Sequence, residues 1–183
     1  MTRAFVAVVP PDDVLDAVGN VLGRLEVPGA RITRRDQWHL TLQFLGNRAD
    51  LDPVAGALSG LAVGPGGVRL GDFGGFPRER RARVLWLGVV EGGEFLAQLV
   101  EAVGALLAPL GYPPEDREYH PHLTLARWKK PADLRGAVAA LETGPVGPAW
   151  TVADVVLFES FTKPTGAEHV ERARFRLGPI GIA

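Results

Sequence analysis

The sequence contains no cysteine and only one methionine. A disulfide framework, a thiolate nucleophile and a cysteine-based zinc site are therefore excluded. Excess charge of either sign is also missing. Twenty Lys and Arg against 21 Asp and Glu leave a formal net charge of −1, so any site for a polyanion must come from locally clustered cations. Lysine itself is scarce, with three against seventeen arginines; nothing in the sequence ties this bias to function. The opening, MTRAFVAVVPPDD, has one Arg and a short apolar run that stops at Pro10-Pro11. It carries neither a signal peptidase site nor the ~20 apolar residues of a membrane span, which predicts a cytoplasmic protein.

What is present is the balance of one globular domain, 183 residues with 46% hydrophobic and 22% charged. The 23 Gly and 15 Pro fall between apolar segments as punctuation. Residues 3–9 read as a strand, followed by a helix that Asp12 or Asp13 can cap, with Val14, Leu15, Val18, Val21, Leu22 and Leu25 on one face. Residues 38–45 alternate as a strand, with His39, Thr41 and Gln43 on one side and Leu40, Leu42 and Phe44 on the other. A short helix over 52–61 and two strands joined by the Arg-rich loop RERRAR complete a first half. A helix over 94–110, a strand over 123–128, a helix over 133–141 and two strands, TVADVVLFESF and VERARFRL, make a second. The hairpin-like pairs at 68–89 and 150–177 argue for antiparallel sheets. The expected fold is α+β, with two pseudo-symmetric lobes around a central cleft, each an antiparallel sheet with helices packed outside. It is one domain over 1–183, with approximate halves 1–90 and 91–183.

The tetrapeptide HLTL occurs twice, beginning at His39 and at His122, 83 positions apart. By composition, a second copy has a chance of about 0.2%, so a duplicated unit contributing one strand from each copy is the simplest reading. Duplication alone requires no chemistry, and hydrogen-bonded structural histidines would satisfy it. Yet in each copy His and Thr share the strand face opposite the leucines, so two imidazoles and two hydroxyls can face one gap. Imidazole titrates near neutral pH and can take up or deliver a proton. Hydroxyls and a nearby Arg suit an anion, and a phosphate diester fits, because preorganised donors stabilise its transition state. Three cation clusters could serve it: Arg34 and Arg35, Lys129 and Lys130, and Arg78, Arg80, Arg81 and Arg83.

At HLTLQFLG, PHLTLAR, RAFVAV and RVLWLGV the chain resembles the RNA 2′,3′-cyclic phosphodiesterases, also named 2′-5′ RNA ligases, of the two-histidine phosphoesterase superfamily. The resemblance implies hydrolysis of RNA 2′,3′-cyclic phosphate ends, tRNA fragments among them, to 2′-phosphates, with ATP-independent 2′-5′ ligation as a companion reaction. It implies His39 as general acid and His122 as general base, or the reverse. Thr41 and Thr124 would hold phosphate oxygens, with Arg127 as the cationic clamp. Strict alternation puts Arg127 on the leucine side, so it needs a bulge or strand end near Ala126 to reach the phosphate. Phe5 is a candidate to stack on a base, although a core position suits it better. One departure is His169, where the family usually has G-x-x-Y; it reads as a surface residue near a turn. His120 and His122 share a face, but zinc would need a third ligand and no carboxylate lies at a supporting spacing, so neither metal nor cofactor is expected. A phosphodiesterase for another nucleotide, such as a cyclic ADP-ribose phosphate or a 2′-5′ oligoadenylate, and a non-catalytic RNA-binding module remain open. The protein is expected to be a monomer.

Overall fold

The computed structural model describes residues 3–47, 49–141, 144–163 and 166–178. Among them, β1 (Arg3–Val8) ends at Pro10-Pro11, and α1 (Asp12–Leu22) buries Val14, Leu15, Val18 and Leu22, the stripe its spacing predicts. A two-residue strand that periodicity does not reveal, β2 (Arg31–Ile32), leads to β3 (Leu40–Gly46), α2 (Leu51–Leu58), β4 (Gly66–Phe76) and β5 (Ala82–Glu91). Then come α3 (Gly93–Leu107), β6 (Leu123–Ala132), α4 (Arg135–Ala140), β7 (Pro145–Val152), β8 (Asp154–Lys163) and β9 (Gly166–Arg176). The segment Gly93–Leu110 is long and apolar enough to cross a membrane. Its Leu96, Leu99, Val103 and Leu107 are instead buried where α3 packs on β3, β4 and α2, as in a core helix.

The strands form one antiparallel sheet in the order β7-β4-β5-β6-β3-β1-β8-β9, with β2 paired to β6. Its middle is narrow: β3 and β6 share a single pairing, Leu40 with Leu123. On either side lie four strands, which are the two lobes of an α+β fold. The strand–helix–strand unit β1-α1-β3 is repeated as β5-α3-β6, so each HLTL starts the strand at the inner edge of its lobe. The lobes interleave along the chain. β4 and β5 precede residue 92 yet join β6 and β7, whereas β8 returns to pair with β1. The run TVADVVLFESF, read from sequence as one strand, is divided at Ala153, since residues before it pair with β4 and those after it with β1 and β9. Gly147, at φ 75°, lets α1 lie against β7, because a Cβ there would sit 3.0 Å from that of Ala17.

Candidate active site

Each histidine of the repeat sits immediately before its strand. In both copies the imidazole Nδ1 meets the carbonyl oxygen two residues earlier, Gln37 for His39 and His120 for His122, at 2.7 Å. A carbonyl can only accept, so Nδ1 carries the proton and Nε2 is left to take up or deliver one. The surrounding chain fixes these carbonyls. Gln37 Nε2 donates to the Ala167 carbonyl at the start of β9. Arg35 pairs with Asp12 at 2.8 Å and Asp16 at 2.9 Å, tying the turn before His39 to α1. Ahead of His122, the Tyr119 hydroxyl donates to the Thr41 carbonyl at 3.1 Å, pinning that loop to β3.

Both strands then bulge at the same place. Opposite β1, the pairing passes from Thr41 to Gln43, omitting Leu42. Opposite β5, it passes from Thr124 to Ala126, omitting Leu125. The extra residue reverses the alternation beyond it. Leu125 and Ala126 are consecutive buried residues and Arg127 turns to the cleft, where its Nη2 lies 3.4 Å from Thr124 Oγ1. The bulge that Arg127 required from sequence is therefore there. The equivalent bulge in β3 overturns two expectations. Phe44, expected in the core, is 45% exposed and lines the cleft at the position corresponding to Arg127. Gln43, expected on the His39 face, is buried and donates to the Tyr112 carbonyl at 2.9 Å.

Phe5 is 2% exposed, stacked on His39 at 4.6 Å and on Phe158 at 5.2 Å. With its faces covered it offers no platform for a base, and it fixes the His39 ring instead. His169 is not the surface residue expected. It lies on β9 and lines the cleft, with its ring edge-on to Phe5 at 4.9 Å and His39 at 5.4 Å. The one signal in the sequence is its place at the family's G-x-x-Y position; periodicity gives none, because the placement depends on β9 pairing with β8 beside β1. His120 packs edge-on to Trp86 at 4.6 Å. Of the cation clusters, Arg34 is paired with Asp36 and Arg35 with α1, and neither lines the cleft. The cleft's cations are Arg3, Arg31 and Arg127, with Arg83 and Arg117 in the cavity beyond.

The electrostatics of the cleft favour a bound anion. Burial, with His169 adding to it, pushes the His39 imidazole down to about 4, and burial also lowers His122. The Arg127 guanidinium is disfavoured by burial and by Arg3, a strain that an anion between them would relieve. The cavity holding both histidines and both threonines measures about 390 Å³. A second, of about 690 Å³, shares Arg3, Thr41, Phe44, His122 and Arg127 with it and extends past Phe76, Arg83 and Arg117. Among the described residues no group of three or more His, Cys, Asp or Glu side chains is placed to hold a metal ion. Two opposed imidazoles with hydroxyl and guanidinium donors can exchange protons across a bound phosphodiester.

Comparisons with known proteins bear on the family and the fold. The family model of the 2′-5′ RNA ligase superfamily matches residues 10–161. A protein of Methanothermobacter thermautotrophicus named RNA 2′,3′-cyclic phosphodiesterase is 31% identical over 96% of this chain and 98% of its own. One of the same name from Aeropyrum pernix is 36% identical over 61% of this chain and 65% of its own. A crystal structure from Thermus thermophilus superposes with a TM-score of 0.80 at 30% identity, covering 97% of this chain and 99% of that one. Paired histidines at the junction of two interleaved lobes, and a match that spans most of the sequence, place this chain in the 2′-5′ RNA ligase superfamily.

Proposed function

We propose that the protein hydrolyses 2′,3′-cyclic phosphates at RNA ends to 2′-phosphates, without a metal, by acid/base catalysis between His39 and His122. The observation that carries the reading is the matched pair of Nδ1 contacts at 2.7 Å, which leaves both Nε2 atoms for proton transfer. His122 removes a proton from water, whose oxygen forms the new bond to phosphorus. The bond to the 3′ oxygen breaks, and His39 delivers a proton to that oxygen. The imidazolium with the lower pKa is the stronger donor, which favours His39 as the acid. Thr41, Thr124 and Arg127 contact the phosphate oxygens, and Phe44 offers an exposed aromatic face for a base. The second cavity gives room and cations for the RNA chain leading to the phosphate, so an RNA end fits better than an isolated nucleotide. Ligation without ATP uses the same groups in the same direction. The 5′-hydroxyl of a second RNA takes the place of water and gives its proton to His122. Its oxygen bonds to phosphorus as the bond to the 3′ oxygen breaks, and His39 protonates that 3′ oxygen. The protein acts as a monomer in the cytoplasm.

The test is a panel assay of purified protein on RNA oligonucleotides ending in 2′,3′-cyclic phosphate, nucleoside 2′,3′-cyclic phosphates, 2′-5′ oligoadenylate and cyclic ADP-ribose phosphate. The expected product is a 2′-phosphate, formed most efficiently from the RNA ends. Exclusive 3′-phosphate product, or turnover of the other substrates alone, would overturn the proposal.

The pH dependence follows from the two depressed imidazoles. For free protein and substrate, kcat/KM should be level between about 4, set by His39, and an upper limb below 6.5, set by His122, and fall outside that window. Binding an anion favours imidazolium, so the kcat profile should lie at higher pH than that of kcat/KM. Steady-state rates from pH 4 to 9 check both; a kcat/KM still rising at pH 8 would assign the base elsewhere.

A further inference from the structure

We propose that His169 is a fixed, neutral hydrogen-bond donor to the substrate phosphate, presenting its Nε2–H to the cleft beside His39. This rests on the phosphodiesterase reading of the cleft and adds a residue that the repeat does not contain. His169 pairs across β8 with Ser160, which in turn pairs with Arg3 of β1, so its ring reaches the cavity from the outer strand of the lobe.

The three cleft histidines differ in one respect. His39 and His122 each have a carbonyl on Nδ1, whereas His169 Nδ1 is buried without a hydrogen-bond partner. A neutral imidazole carries one N–H. On Nδ1 of His169 it would be a buried, unpaired donor, so the proton belongs on Nε2, the nitrogen left to face the cavity. Charging the ring would add that same unpaired donor. The neighbours act in the same direction on balance: burial and Arg3 disfavour the charged ring, and Asp36 opposes them only in part. His39 from β3 is the other titratable group against it, and Glu168 on its own strand is ion-paired with Lys163. His169 is thus unsuited to exchange protons near neutral pH. As a preorganised donor it suits the charge that develops on a phosphate oxygen in the transition state.

Two measurements test this. Long-range ¹H–¹⁵N spectra of the wild-type protein should show His169 as the neutral Nε2–H tautomer from pH 6.5 to 8. An Nδ1–H tautomer, or titration in that range, would overturn the proposal. Kinetics on a nucleoside 2′,3′-cyclic phosphate should show His169→Phe losing roughly 100-fold, chiefly in kcat. His169→Gln, which keeps a donor, should recover most of that loss, and the upper pH limb, set by His122, should stay in place. Full activity in His169→Phe, equal loss in both variants, or a displaced upper limb would each sink the idea. Binding of a nucleoside 2′-monophosphate, followed by calorimetry, separates the two readings. Binding weakened by Phe and restored by Gln in a protein without turnover would reject hydrolysis but keep the donor.

Discussion

His39→Ala and His122→Ala proteins should each lose at least about 10³-fold in kcat on a 2′,3′-cyclic phosphate end while melting as cooperatively as wild type. The magnitude follows from removing one partner of an acid/base pair, worth roughly 10²–10⁴-fold, in a site where neither proton transfer has a substitute. The residues flanking each histidine are held by other means, the strand pairing of Leu40 with Leu123 and the anchors at Gln37 and Tyr119, so truncation leaves the backbone in place. Losses in the double variant should fall well short of the product of the single ones, because the two groups act in one step. The proposed chemistry uses only side chains, so EDTA should leave the wild-type rate unchanged. Circular dichroism and melting curves separate lost chemistry from lost fold. Wild-type rates in either variant would remove the acid/base assignment.

The repeat was legible because its spacing exposes the duplicated unit, and strand alternation places His and Thr together. Alternation assumes one residue per step, however, and the bulges at Leu42 and Leu125 break that assumption. Arg127 forced the issue in one copy because the clamp role implied for it conflicts with its place on the leucine side of the strand. Phe44 raised no alarm, since a phenylalanine is at home in a core. Applying the second copy's bulge to the first would have turned it outward. The interleaving of lobes was less accessible. Where TVADVVLFESF divides, and which lobe each part joins, depends on pairings with β4 and β1, some 80 and 150 residues away. His169 becomes a cleft residue only through that long-range arrangement. The Arg34–Arg35 cluster misled for a related reason, since both have carboxylate partners that local sequence does not weigh against a ligand.

The narrow middle of the sheet makes Leu40→Ala and Leu123→Ala the largest expected stability effects. Both side chains are 0% exposed, and they form the single pairing between β3 and β6 among the described residues. Cutting a buried Leu back to Ala removes its transfer free energy and leaves a cavity, together about 2–5 kcal/mol. For a domain of this size each kcal/mol lowers Tm by about 2–4 °C, so a fall of roughly 4–20 °C is expected for either change. Because the two leucines are paired, the double variant should lose less than the sum of the single losses. Leu96→Ala, equally buried but on α3 away from the cleft, is the comparison. It should cost similar stability while leaving kcat/KM near wild type well below Tm. Each of these leucines directly follows one of the paired histidines, so under the proposed mechanism its loss should also reduce kcat/KM at the same low temperature, by loosening the spacing between the two imidazoles. Full kcat/KM in both cleft variants, beside the expected fall in Tm, would show that the histidines are registered by the loop anchors rather than by the leucine pair.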